Sequence, residues 1–322
     1  MDNDSKKITF IIGDIMIYTD KFYHGKKVSH SFFEGWYFKH KKDNKVISII
    51  PGISINSKGE KIAFIQIISN EFSNYIDFKF EDFSVDENSH KIFIGKNTFS
   101  EKGIILNIKT KNLTLEGNLS YSHLRKLNKT IFAPSIMGPF SYLPFMECNH
   151  GILSLYHEIS GHLFYNEECI YFNGDIGYIE KDWGRSFPKS WTWFQCSEFS
   201  QNKKATMMLS IAKIPFLVGE FLGIIFVLDD GHYQIRLATY YGAKLFKKTS
   251  DDKITKISIK QRKYMLNIEV YLEKPHILKA PFLGKMGREI LEIPSCSCTV
   301  KLLKGNDIIF EDNGINAGFE NM

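Results

Sequence analysis

Carboxylates are rare neighbours for indoles, yet this chain places them together twice. The stretch YIEKDWGRSFPKSWTWFQC, Tyr178 to Cys196, holds Trp183, Trp191 and Trp193, three of the chain's four tryptophans, with Glu180, Asp182 and Arg185 among them. The fourth, Trp36, stands in FFEGWYFK beside Glu34 and Phe38. Side chains alternate along a strand, so Glu34, Trp36 and Phe38 share one face. By the same rule Tyr178, Glu180 and Asp182 share a face until Gly184 breaks the strand, and Trp191, Trp193 and Gln195 share another. A carboxyl set against an indole and a phenyl is expensive in a core unless it is neutral or paired. Two readings follow. In one, a lysine at the strand end neutralises Glu34, and Lys181 or Arg185 neutralises the acids of the second stretch. In the other, aromatic faces wall a pocket in which one or two acids are held.

A third stretch, MECNHGILSLYHEISG, directs Glu147 and Asn149 one way and Cys148 and His150 the other. A histidine beside a glycine at a strand start is ordinarily a hydrogen-bonded structural residue. His150 and His157 have no third ligand at metal spacing, so no zinc site is expected. The chain has no glycine-rich phosphate loop, no G-x-S-x-G elbow and no dinucleotide fingerprint, so no cofactor is expected either.

The elements that must position these residues are strands. Runs such as KVISIIPGIS, KIAFIQIIS and ILNIKTKNLTLEG are short, β-branched or aromatic, and alternating, with Asn, Gly, Asp and Ser between them. Helical spacing sustained over three turns is absent, which makes the chain all-β. The halves also resemble each other. GWYFK matches SWTWF, with Trp36 against Trp191; IILNIKTK matches YMLNIEVY, with Leu106 against Leu266; FNGDIGYIE and EDNGINAGFE end at Glu180 and Glu320. The changing offset puts about twenty surplus residues of the first half in Ser122–Glu147, a proline-bearing segment that reads as a long loop. Two strand runs of roughly 150 residues predict tandem antiparallel sandwiches or barrels packed together.

Composition narrows the function. With 322 residues, 43% hydrophobic and 14% aromatic, the chain has enough apolar material for a sizeable core. Its net charge of +5 is scattered, and the densest basic run, Lys39 to Lys45, reads as a solvated hairpin turn, so no nucleic-acid partner is expected. Five cysteines without a CxxC pair read as reduced thiols of a cytoplasmic protein. KKITFIIGDIMIY near the amino terminus imitates a signal peptide, but Asp14 interrupts it and it is expected to be a strand.

The strings FFEGWYFKH, SIMGPFSYLPFMECNHGILS, GYIEKDWGRSFPKSWTWFQC and, more weakly, INAGFE resemble the tocopherol cyclase family and lie in its order across about residues 30 to 320. Residues 1–28 have no clear counterpart there. The resemblance implies a lipocalin-like tandem β fold related to carotenoid hydratases, with an amino-terminal extension at 1–28 and barrel-like domains at 29–188 and 189–322. The implied reaction closes a prenylated hydroquinone or phenol to a chromanol, without a cofactor. An alkene must be protonated and the phenolic oxygen must capture the tertiary cation. Alkenes are very weak bases, so the donor must be an acid kept neutral in a dry site, where burial can raise a carboxyl pKa by up to about 3–5 units. Indole faces stabilise a cation by about 0.5–2 kcal/mol each. On this expectation Glu34 or Asp182 donates the proton, Glu180 and Arg185 set that donor's pKa, and His150 with Glu147 accepts the phenolic proton. Trp36, Phe38, Trp183, Trp191, Trp193 and Gln195 would line the substrate site. The partner would be a hydrophobic small molecule, and the positive charge permits peripheral membrane contact. An isoprenoid hydratase and a non-catalytic lipocalin-like binder of a hydrophobic ligand are the alternatives.

Overall fold

The computed structural model describes residues 22–144, 146–216 and 219–322. The strand expected near the amino terminus lies outside them. The first half contains β1 (Phe32–Lys42), β2 (Lys45–Ile55), β3 (Lys61–Ser69), β4 (Ser73–Lys79), β5 (Phe83–Asp86), β6 (Lys91–Ile94), β7 (Asn97–Ser100), β8 (Gly103–Lys109), β9 (Thr114–Arg125), β10 (Cys148–Tyr165) and β11 (Glu168–Gly184). The second contains β12 (Trp191–Cys196), β13 (Thr206–Phe216), β14 (Gly219–Asp229), β15 (Gln234–Ala238), β16 (Lys244–Ser250), β17 (Ile254–Gln261), β18 (Tyr264–Tyr271), β19 (His276–Phe282), β20 (Lys285–Lys304) and β21 (Asp307–Asn321). The protein is all-β, as alternation predicts, and its other regular elements among the described residues are single 3₁₀ turns.

Each half closes by the same device: its first strand pairs antiparallel with its last. In the first half β1 lies beside β11, and the order β4-β3-β2-β1-β11-β10-β9-β8-β7-β6-β5 curls into a nearly closed barrel whose seam falls between β4 and β5. In the second, β12 lies beside β21 in the order β15-β14-β13-β12-β21-β20-β18-β17-β16, with β19 hung on β20. The repeat is therefore a repeat of topology: Trp36 and Trp191 are on the opening strands, and Glu180 and Glu320 on the closing ones. Leu106 and Leu266 sit on β8 and β18, one strand apart when both halves are counted back from their closing strands. Such strands share one alternating pattern, so their strings match without occupying equivalent places.

Three apolar clusters hold the molecule. One fills the first barrel around Trp36, Phe38 and Phe99, and one fills the second around Phe194, Phe226 and Phe319. The third lies between the halves and draws on both: Tyr37, Ile152, Leu155 and Tyr178 meet Trp191, Trp193, Met208 and Ile290. The opening and closing strands consequently have two buried faces, one turned into a barrel and one turned towards the other half. Bonds across the junction include Lys279 N–H to Gln66 Oε1 at 2.7 Å and the Thr206 hydroxyl to the Leu155 carbonyl at 2.8 Å.

The surplus loop of the first half is strapped onto the second. It carries a 3₁₀ turn at Gly138–Tyr142, and Tyr240 donates its hydroxyl to the Ile136 carbonyl at 2.9 Å while Arg236 donates to the Ser135 carbonyl at 3.1 Å. The basic run Lys39–Lys45 does end in a tight turn, between Lys42 and Lys45, but its first lysine is not solvated. Lys39 is buried and donates to the Asn316 carbonyl at 2.8 Å, because the strand carries it into the junction before the turn begins. The five cysteines are free thiols, with Cys196, Cys296 and Cys298 buried in the second barrel. No helix among the described residues is long and apolar enough to cross a membrane.

Candidate active site between the barrels

A cavity of about 180 Å³ opens between the halves, lined by both. Strand parity decides which residues reach it. On β1, Phe33, Gly35 and Tyr37 face the cavity; on β11, Glu180 and Asp182 do; on β10, Cys148 and His150; on β12, Trp191 and Trp193. The Pro-rich strap contributes Met137, Phe140 and Met146, and β20 and β21 contribute Glu292 and Glu320. Most of this wall is apolar or aromatic.

The other parity leads elsewhere. Glu34, Trp36 and Phe38 do share a face, as alternation requires, but that face is the interior of the first barrel, and Trp183 joins them there. Glu34 is wholly buried and ion-paired: Lys181 Nζ is 2.9 Å and His24 Nδ1 2.8 Å from Oε1, and the His24 backbone N–H donates to Oε2 at 2.7 Å. Burial by itself would raise its pKa; Lys181 and His24 outweigh that and hold Glu34 below the ordinary carboxylate value. Lys181 lies 4.7 Å from the centre of the Trp183 ring, and the His24 ring stacks on Trp183 at 4.3 Å. An ionised Glu34 inside a barrel is not placed to protonate anything in the cavity.

Three further expected residues also lie off the cavity. Arg185 is exposed beyond its wall, and what the structure takes from it is backbone: its carbonyl accepts from Gly284 N–H at 2.7 Å. Glu147 precedes β10 and is not among the residues lining the cavity, and its carbonyl accepts Arg185 N–H at 2.8 Å. Gln195 continues the line of Trp191 and Trp193 into a separate small recess, where its side chain donates to Ser197 Oγ at 2.6 Å.

Of the expected set, the cavity brings together Asp182, Glu180, His150, Trp191 and Trp193. His150 Nδ1 is 2.8 Å from Asp182 Oδ1, and His150 Nε2 is 3.5 Å from Glu180 Oε2. Burial would lower the His150 pKa, but Asp182 and Glu180 outweigh it and lift it to about 9. The imidazole is thus a cation near neutral pH and has no lone pair with which to accept a proton, contrary to the acceptor role expected of it. Glu180 Oε2 accepts the Tyr178 hydroxyl at 2.6 Å and the Trp193 indole N–H at 3.2 Å. Burial raises its pKa to about 7 in spite of these donors and of His150. His150, Glu180 and Asp182 each offer an atom within 4.8 Å of the others, so they could also hold a metal ion. Sequence spacing misses this grouping because β10 and β11 pair His150 directly opposite Asp182.

Two acids of the second half complete the cluster. Glu292 Oε1 accepts the Tyr37 hydroxyl at 2.6 Å, and Glu320 accepts the Trp191 indole N–H. Burial pushes Glu292 up to about 7, and burial with the charge of Glu292 pushes Glu320 well above its ordinary value. One signal for these lay in the sequence. Glu320 ends the repeat landmark whose first-half counterpart ends in Glu180. Glu292 and Tyr37 had no such marker, being single members of alternating runs.

The fold is shared with solved structures. CghA superposes with a TM-score of 0.59 at 9% identity, covering 92% of this chain and 90% of that one. CghA with Sch210972 gives 0.56 at 8% identity over 91% and 89%. An AttH-like protein of Nitrosomonas europaea gives 0.55 at 10% identity over 89% and 92%. At these identities the likeness is one of fold alone. No curated protein matches the chain's sequence. Residues 119–277, which contain the strap, His150, Glu180, Asp182 and both cavity tryptophans, match the family model described as Tocopherol cyclase-like, in agreement with the resemblance of the motifs.

Proposed function

We propose that this chain, tocopherol cyclase-like over residues 119–277, is an enzyme of the cyclase and hydratase type acting on a hydrophobic isoprenoid. Its principal reaction closes a prenylated phenol or hydroquinone to a chromanol. One observation carries the reading. Glu180 and Glu292, each raised to about 7 by burial, share a cavity walled by Trp191 and Trp193. A carboxyl group is useful as an acid towards an alkene only while it is protonated, and an apolar site is what keeps it so near neutral pH. A positioned acid contributes typically about 10²–10⁴-fold. The indole faces supply further stabilisation where the tertiary cation develops. The apolar wall keeps water from capturing that cation before the phenolic oxygen does. A simple binder of hydrophobic ligands needs the aromatic wall but has no use for four buried or half-buried carboxyls, Glu180, Asp182, Glu292 and Glu320, that share one histidine, His150, as the cation lining the cavity beside them. Here the lysine-paired acid, Glu34, is the one outside the cavity.

The test is product analysis. Full-length protein incubated with a prenylated hydroquinone should yield a ring-closed isomer of unchanged mass, and Trp191→Phe with Trp193→Phe should slow its formation. A product one water heavier would move the assignment to a hydratase. Tight binding with no turnover of any prenylated phenol or carotenoid would replace the enzyme with a carrier.

A further inference from the structure

The acids of the cavity differ in what surrounds them, and the difference assigns chemistry. Glu180 Oε2 faces three groups that favour a negative charge: the Tyr178 hydroxyl at 2.6 Å, the Trp193 N–H at 3.2 Å and the His150 ring at 3.5 Å. Glu292 has one direct donor. The Tyr37 hydroxyl donates a hydrogen bond to Oε1 at 2.6 Å and in turn accepts one from the Ser48 hydroxyl at 2.9 Å. The remaining oxygen, Oε2, is buried with no hydrogen-bond partner, on a residue that lines the cavity. A bare carboxylate oxygen in an apolar setting is costly, whereas a carboxylic acid with its proton on that oxygen is not. When two interacting carboxyls share protons, the better-solvated one ionises first.

We propose that Glu292, contributed by the second half, is the proton donor of the cavity and that Glu180, contributed by the first half, is its base. This assignment rests on the alkene-protonating reading above. The Oε2–H bond of Glu292 breaks as the alkene π pair forms a new C–H bond, leaving the charge on the tertiary carbon. A lone pair of the phenolic oxygen then forms the C–O bond, and the phenolic proton passes to the Glu180 carboxylate. His150 and Asp182 hold that carboxylate in place as a charge pair. The substrate is isomerised without any redox change. The cycle closes when one proton returns from Glu180 to Glu292, two acids of one cluster. Neither half has both groups, so a single barrel would be inert.

The test uses Glu292→Gln, Glu292→Asp and Glu180→Gln in the full chain. Infrared difference spectra just below neutral pH should show the C=O stretch of a buried protonated carboxylic acid. That band should lose the Glu292 contribution in Glu292→Gln, with the contribution of the other raised acid, Glu320, remaining, and should keep the contribution from position 292 in Glu180→Gln and Glu292→Asp. With a prenylated hydroquinone, Glu292→Gln should lower kcat by about 10²–10⁴-fold with KM little changed. Glu292→Asp should recover part of the rate. In heavy water, one deuterium should enter the product at the carbon next to the new tertiary ether carbon. Wild-type kcat in Glu292→Gln, or a band of undiminished intensity in that variant, overturns the assignment while leaving the cyclase reading intact. Absence of turnover in the wild type would sink the cyclase reading, and the infrared band would still decide whether Glu292 is the neutral acid.

Discussion

Tyr37 and Glu292 are separated by 255 residues, and the phenolic hydroxyl of one donates to the carboxyl of the other at 2.6 Å. The bond joins the opening strand of the first half to a strand of the second. It also leaves Oε2 as the oxygen of Glu292 without a hydrogen-bond partner. Removing the donor in Tyr37→Phe takes away the hydrogen bond that lowers the Glu292 pKa, so the pKa should rise further. The variant should unfold with about 1–3 kcal/mol less stability in denaturant titrations, since two buried polar groups lose a partner. An unchanged acid limb in the pH–rate profile would show that Tyr37 does not tune the acid.

Glu34 illustrates the opposite case, an acid that works for the fold. Breaking its buried pair with Lys181 in Glu34→Gln should cost roughly 3–5 kcal/mol, because the 2.9 Å charge pair between the two buried groups is lost. Activity per folded molecule should stay near wild type. Denaturant unfolding alongside active-site titration measures both quantities, and intact stability with lost turnover would return Glu34 to the catalytic set.

Stability should fall as pH rises across the neutral range. Glu180 and Glu292 are each raised from 4.5 to about 7, so the folded state holds these protons more firmly than the unfolded chain. A raised carboxyl pKa withdraws stability as pH climbs from the unfolded value to the folded one, on the order of 3 kcal/mol for each group before their mutual coupling. His150, raised from 6.5 to about 9, contributes stability that is complete below 6.5 and lost as pH passes through 9. Thermal melts at a series of pH values should show Glu292→Gln gaining on the wild type between about pH 5 and 8. Parallel curves for the two proteins would contradict the buried, proton-holding site.

The strap over the cavity is sensitive at Gly138. Its φ of +59° lies in the left-handed region, and a Cβ there would come within 2.5 Å of the Tyr240 ring. Gly138→Ala should therefore lift the strap, which carries Met137 and Phe140 over the site. With water admitted, a hydrated alcohol should grow at the expense of the ring-closed product, a ratio read directly by mass spectrometry. A product ratio indifferent to this change would mean that the strap does not guard the cation.

Much of the architecture can be read from residue order. Alternation of β-branched and aromatic residues identifies the strands, and the echo of GWYFK in SWTWF together with the paired endings at Glu180 and Glu320 identifies two halves with matching first and last strands. Alternation also states correctly which side chains share a face, as with Trp191 and Trp193 or Cys148 and His150. It goes no further, because it is a property of one strand and carries no label for inside and outside. In a sheet with one wet face, polarity supplies that label. The opening and closing strands here are buried on both sides, by their own barrel and by the other half, and both faces are accordingly apolar. Only closure of the barrels and their docking decided that Glu34 and Trp36 turn inward to meet Lys181, while Tyr37 and Glu180 turn outward to meet Glu292 and Trp193. Those partners come from strands far apart in the chain, and no local pattern of residues records which distant strand packs against which face.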